Sequence, residues 1–148
     1  LSSGALVARV QHQAPHARLW LDGGHNAAAA QALSGWAQSL VGTPLKTQSG
    51  KTHLDIILAM LNTKAHADFL ENLKPLAPFA QLHCVPIDDQ LNAISPDVLA
   101  RAAGKVGLKA RARDSLLAAL EAVPPTAQNV LICGSLYLAG QALRANRG

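Results

Sequence analysis

Asp22, His25 and Asn26 bring a carboxylate, an imidazole and an amide into one short turn, broken by Gly23 and Gly24. Asp22 can accept hydrogen bonds from hydroxyls, such as those of a ribose, or from an ammonium. His25 can donate or accept near neutral pH. The two glycines carry no Cβ, so the backbone can take positive φ and a ligand can come close. Asn26 can cap a following helix by accepting from the N–H groups of its first turn. By residue type alone the turn reads equally well as one tied together by its own side chains, with His25 solvated.

The elements around the turn decide what it can reach. Leu19-Trp20-Leu21 is apolar and ends in Asp22, and no helix breaker follows Asn26 until Gly35. The pattern is strand, tight turn, helix start. In open α/β sheets ligands bind at that edge, where the first N–H groups of the helix are unpaired and favour anions. The spacing predicts a helix over 26–41, with Leu33, Trp36, Ala37 and Leu40 on one apolar stripe and Gly42 after it. Trp36 is therefore read as core.

Further strands and helices alternate along the chain. Ala5–Val10 alternates weakly and is read as an edge strand forming a hairpin with Arg18–Leu21. Leu54–Met60 reads as a buried parallel strand. Leu61-Asn62-Thr63-Lys64 then turns into a helix reaching Leu73, with Asn62 or Thr63 as its cap. Leu82–Pro86 is a third strand. Ser95-Pro96-Asp97 opens a helix with Ser95 as N-cap and Pro96 in its first turn. Its stripe is Val98, Leu99, Ala102, Ala103 and Val106, and Gly107 ends it. Leu108–Ala112 is a short strand, and Asp114 is the expected cap of a helix carrying Leu116, Leu117 and Leu120. Asn129–Cys133 is the last buried strand. Gly134-Ser135 turns into a helix over 136–145, which puts the Ser135 hydroxyl on the same edge as Asp22. This order predicts a mostly parallel sheet with helices on both faces. No Gly-x-Gly-x-x-Gly fingerprint accompanies it, so dinucleotide binding lacks direct support.

Several other signals carry no chemistry. Gly50-Lys51-Thr52 imitates the end of a Walker A loop, but Leu45 stands where the leading glycine belongs and the next element reads as a strand. Asp88 and Asp89 are adjacent carboxylates without a second pair of oxygen ligands, so they read as solvated loop and no metal site is expected. The net charge of +4 is spread along the chain with no basic run interleaved with aromatics, which disfavours nucleic acid. Cys84 and Cys133 each sit inside an apolar run and read as buried, reduced thiols. No signal peptide or bilayer-length apolar run is present, so a cytoplasmic location with no membrane contact is expected. Nearly half of the 148 residues are apolar and only 3% aromatic, which suits one domain with an aliphatic core.

Two segments together are more specific. Asp22-Gly23-Gly24-His25-Asn26 followed by small residues resembles the motif opening the C-terminal domain of the dihydrofolate synthase/folylpolyglutamate synthase family, in the Mur ligase superfamily. Ala27 stands where that family commonly has proline, which removes a fixed φ but no reactive group. Cys133-Gly134-Ser135-Leu136-Tyr137-Leu138-Ala139-Gly140 resembles the segment closing the same domain. Order and separation agree, and the resemblance covers essentially the whole chain.

The resemblance implies an α/β, Rossmann-like three-layer sandwich of the Mur ligase C-terminal type, one domain over 1–148. It implies that the N-terminal/central ATPase domain is absent from this chain. The parent activity would be an ATP-dependent ligase joining L-glutamate to dihydropteroate or folates through an acyl phosphate. ATP and Mg2+ would be bound mainly by the absent domain, leaving this chain inactive alone. Asp22 would contact ATP on its ribose side, and His25 and Ser135 would position glutamate. Asn26 and Lys64 are secondary candidates; the family's Lys-Asp pair keeps its lysine as Lys64, while Ala65 replaces the acid. The alternative is a stand-alone Rossmann-like module that binds a nucleotide or amino acid without catalysis.

Overall fold

The computed structural model describes residues 5–41, 53–63 and 65–147. Lys64 and the 50–52 imitation of a phosphate loop lie outside them. In chain order the elements are α1 (Ala5–Gln13), β1 (Arg18–Leu21), α2 (Ala27–Val41), β2 (Leu54–Leu58), α3 (Ala65–Leu73), β3 (Ala80–Cys84), α4 (Pro96–Lys105), β4 (Lys109–Ala112), α5 (Leu116–Glu121), β5 (Asn129–Cys133) and α6 (Leu136–Arg147). The strands form one sheet in the order β1-β5-β2-β3-β4. Every pairing is parallel.

The two central strands, β2 and β5, are buried at every position. That is why their sequences run apolar with little alternation. The edge strands β1 and β4 keep exposed positions. The chain moves one way across the sheet from β1 through β2 and β3 to β4, and α2, α3 and α4 pack on one face. It then returns from β4 to β5, between β1 and β2, and α5 lies on the opposite face with α1 and α6. A constant crossover hand requires this switch of face. Ile56, Leu58 and Leu131 point into the first core, while Ile57, Val130 and Ile132 point into the second.

Ala5–Val10 is not an edge strand, and there is no hairpin with β1: these residues form the start of α1. Leu6, Val10 and Ala14 bury against α5 and α6. Their four-residue spacing keeps them on one side of either a strand or a helix, so alternation did not separate the two. The cap of α5 is Ser115, one residue after the expected Asp114; its hydroxyl accepts from the Ala118 N–H at 3.0 Å. Val98 and Leu117 face solvent and leave the apolar stripes assigned to them. Ser95 caps α4 as expected, with Pro96 and Asp97 in the first turn. Gly107 takes a φ of 89°, a left-handed geometry suited to the end of that helix. Cys84 and Cys133 are both free and buried. Among the described residues no helix is long and apolar enough to cross a membrane.

Candidate functional site

The strand β1 hands its last backbone bond to β5, with Asp22 N donating to Ile132 O at 2.9 Å. The chain then turns sharply. Asp22 Oδ2 accepts the Gly24 N–H at 2.8 Å, and Asn26 Oδ1 accepts the Ala29 N–H at 2.9 Å. Asn26 is thus the N-cap of α2, as its type predicts. A glycine is sterically required at position 24, whereas at 23 the close neighbour is the movable end of an exposed leucine. A Cβ on Gly24 would lie 2.5 Å from the Ala29 methyl and 2.8 Å from Asp22 Oδ2. A Cβ on Gly23 would lie 2.5 Å from Leu136 Cδ2, which shows how closely this turn abuts the start of α6.

The β5–α6 turn is built on the same plan. Gly134 has a φ of 103°, and a Cβ there would sit 2.5 Å from the Ala59 carbonyl oxygen. Ser135 follows, 3% exposed. Its Oγ accepts from the N–H groups of Tyr137 at 3.0 Å and Leu138 at 3.5 Å, so it caps α6. The hydroxyl proton remains available to donate. A third turn, after β2, is tied down by Ile94 N donating to Met60 O at 2.9 Å and Asn62 N donating to Asn92 O at 2.7 Å. There His66 Nδ1 lies 2.6 Å from the Thr63 carbonyl oxygen, at the start of α3.

Helices leave β5 and its neighbours β1 and β2 toward opposite faces of the sheet, which opens crevices at this edge. One cavity of about 230 Å³ is lined by His25, Met60, Leu61, Thr63, Ser135 and Tyr137, among others. A second, of about 450 Å³, lies between β1 and α2 and is lined by Asp22, Gly24, Trp20 and Trp36 with neighbours from both elements. His25 and Ser135 therefore share a cavity. Asp22 stands on the same rim, in the same turn as His25, and lines the second cavity. Its charge also raises the pKa of Cys133, after burial as the larger cause. Burial alone pushes the Cys84 thiol up to about 12.

Among the described residues, Asp22 Oδ1 and the ring nitrogens of His25 make no hydrogen bond to protein. Free acceptors and donors on a rim lined by helix starts suit a ligand carrying hydroxyls, carboxylates or an ammonium. Thr63, expected only as a helix cap, and Tyr137, which stood in the Cys133–Gly140 segment without a role of its own, join this lining.

A second polar grouping lies away from the rim and was also missed. Asp55 on β2 is wholly buried. Its Oδ1 accepts from His83 Nε2 at 2.8 Å, and its Oδ2 lies 3.0 Å from His53 Nε2. The Arg113 Nε–H donates to His83 Nδ1 at 3.2 Å, which places the proton of that ring on Nε2, toward Asp55. The signal available was a charged residue and a histidine inside two otherwise apolar strands.

The family described as "Dihydrofolate synthetase, C-terminal domain" matches residues 7–145. No curated protein matches the chain. Among solved structures, Mycobacterium tuberculosis folylpolyglutamate synthase complexed with ADP is 22% identical, with a TM-score of 0.62 over 85% of this chain. The same enzyme complexed with ADP and AMPPCP is 24% identical, with a TM-score of 0.63 over 85% of the chain. The bifunctional folylpolyglutamate synthase/dihydrofolate synthase from Yersinia pestis CO92 is 20% identical, with a TM-score of 0.65 over 90%. The match takes up 29% of each of those longer chains. At these identities the likeness is one of fold.

Proposed function

The chain belongs to the family of dihydrofolate synthetase C-terminal domains, and from that premise we propose that it is the substrate-positioning domain of an ATP-dependent ligase that adds glutamate to dihydropteroate or folates. The observation that carries this reading is the shared cavity of His25 and Ser135, two residues from opposite ends of the chain. In the reaction a substrate carboxylate is first phosphorylated. The glutamate nitrogen then attacks the acyl carbon and a tetrahedral intermediate forms; the bond from that carbon to the phosphate oxygen breaks, phosphate leaves with the oxygen and the bonding electron pair, and the nitrogen gives up a proton.

The residues of this chain bind and orient. The Ser135 hydroxyl can donate to a glutamate carboxylate. His25, exposed and without a protein partner among the described residues, can donate to the second carboxylate or accept from the amine. Asp22 Oδ1 is an open acceptor for a ribose hydroxyl. Asn26 holds the turn that carries the other two. Holding the amine in line with the acyl carbon can lower a barrier by about 7–11 kcal/mol at best. Magnesium and the ATP phosphates would be held by a separate ATPase domain, the partner this reading requires.

Mapping amide shifts of the 148-residue chain on adding glutamate tests the assignment. Weak binding with shifts at His25, Thr63 and Ser135 is expected, together with no ATP hydrolysis and no amide formation by the chain alone. Tight binding of glutamate or a nucleotide by the isolated chain would instead mark a self-sufficient binding module. Shifts confined to the opposite end of the strands would overturn the site.

A further inference from the structure

The two edges of the sheet differ in charge. Strand β1 carries one charged residue, Arg18, ahead of an apolar run. Strand β4 alternates lysine or arginine with alanine and runs on into Arg113. Lys109, Arg111 and Arg113 therefore share one face, at a repeat of about 6.6 Å. It is the face that carries His83, which pairs in register with Arg111. The other face is packed by α4, and there Ala110 joins the first core. Lys109 and Arg111 are exposed, and neither has a carboxylate partner among the described residues. Arg113 is half-buried and its Nε–H is taken by His83. The backbone of β4 is satisfied on one side. Arg113 N donates to Cys84 O at 2.8 Å, so the alternate residues Ala110 and Ala112 turn their N–H and C=O groups away from β3. Among the described residues no strand meets them there. Beside this open edge lies a groove of about 510 Å³, lined by Ser95, Asp97, Ala100, Arg101 and Ala110.

From this arrangement we propose that β4 is a docking strand for an acidic, extended segment of a partner protein, which adds to the five-stranded sheet at this edge. The segment gains main-chain hydrogen bonds from Ala110 and Ala112, as in other cases of strand addition. Its side chains alternate between the two faces. Carboxylates on one face meet Lys109 and Arg111. Short polar side chains on the other enter the groove, where Ser95 and Asp97 offer hydrogen bonds and Arg101 adds a further cation. Charge selects this occupant. A second copy of the chain would bring two rows of cations together, and like charges directly opposite destabilise a strand pair. The row that keeps copies apart attracts a strand of opposite sign. A nucleic acid would find no aromatic side chain in this groove on which to stack a base. The edge shares no residue with the cavity of His25 and Ser135, so docking here is independent of the glutamate reading.

A short blocked peptide alternating glutamate and threonine is titrated into the 148-residue chain, with amide shifts and hydrogen exchange as the readout. Saturable shifts at Ala110 and Ala112 are expected, with slowed exchange of both amides, binding that weakens as salt rises, and Ser135 unmoved. Arg111→Glu should weaken binding tenfold or more. Ala112→Pro removes an outward N–H at an edge position that tolerates proline and should abolish the protection at Ala110 while the rest of the spectrum stays folded. A peptide with lysine in place of glutamate should not bind. Four results would each overturn the proposal: no saturable shift at β4, binding unaltered by both variants, equal binding of a proline-interrupted peptide of the same charge, or tighter binding of an oligothymidylate at the same residues. Protection of Ala110 and Ala112 that grows with the concentration of the free chain would assign the edge to self-association instead, and would equally overturn it.

Discussion

Asp22 and Asp55 are carboxylates of the same sheet placed in opposite circumstances. Asp22 stands at the C-terminal end of edge strand β1, partly exposed, with one hydrogen bond to its own turn. Asp55 lies near the start of central strand β2, 0% exposed, between two imidazoles. One oxygen of Asp22 is open, whereas Asp55 Oδ1 is hydrogen-bonded by His83 and Oδ2 is buried against the His53 ring at 3.0 Å. Burial raises the pKa of Asp55, but the hydrogen bonds of His53 and His83 outweigh it, and the carboxyl is held below its ordinary value of 3.8. On the proposed reading, the contrast separates a polar group left open for a ligand from one paired within the fold. Burying a paired charge adds little net stability, but removing one partner leaves the other stranded, which is costly.

The largest effect should therefore follow from Asp55→Asn. Loss of the charge between His53 and His83 is expected to cost about 3–5 kcal/mol in urea unfolding. Asp22→Asn should change stability far less. Equal losses for the two variants would erase the distinction.

The same grouping sets a pH window. Asp55 has a lowered folded pKa, so its contribution is present above the unfolded value of 3.8 and disappears as pH falls through the folded value. His53 is shifted the other way. Its hydrogen bond to Asp55 raises it above 6.5, against burial and against the charge of Lys109. Its contribution is complete below 6.5 and is lost as pH rises through the folded value. Urea midpoints should fall on both the acid and the alkaline side of this window, and both slopes should flatten in Asp55→Asn. Unchanged slopes in the variant would place the pH response elsewhere.

Gly134 is where the two regimes touch, since it belongs to the rim turn but packs on the end of β2. Gly134→Ala imposes a left-handed φ on a side chain and drives a Cβ to within 2.6 Å of Leu58 Cδ1 and 2.5 Å of the Ala59 carbonyl oxygen. A loss of about 2–4 kcal/mol is expected. Because Ser135 is the next residue, glutamate binding should fall with it. A variant that keeps full stability but loses the ligand would show that the turn is adjustable, and that its glycine serves only the site.

How far these two regions could be read in advance differs for a physical reason. The rim was legible because each turn carries local signals: Asp22-Gly23-Gly24-His25-Asn26, then Gly134-Ser135, each after an apolar strand. The sandwich was legible for the same reason, because β2 and β5 are apolar runs and helices follow them. The buried grouping was not. Asp55 and His83 meet only through the register that sets Asp55 opposite Gln81 and Ile57 opposite His83, and no local pattern states a register. The helix α1 was misread because Leu6 and Val10 satisfy both periods. The cap of α5 slipped from Ser115 to Asp114 because adjacent residues of equal capping power differ only in backbone angle.

Within the rim itself, Ser135 and His25 should separate in stability and agree in function. Ser135 is buried and caps α6, so Ser135→Ala is expected to cost about 1 kcal/mol in unfolding. His25 is exposed and has no protein partner among the described residues, so His25→Ala should stay within about 0.5 kcal/mol of the parent. In the proposed ligase, with the chain joined to the ATPase domain that reading requires, each should lose a hydrogen bond to a charged substrate. That loss is on the order of 2 kcal/mol, or about thirty-fold in kcat/KM for glutamate, with kcat/KM for ATP little changed. Ser135→Thr keeps the hydroxyl and should recover part of both effects. If Ser135→Ala lowers stability while glutamate kinetics stay at the parent value, Ser135 is a helix cap and nothing more, and it then belongs with Asp55 rather than with Asp22.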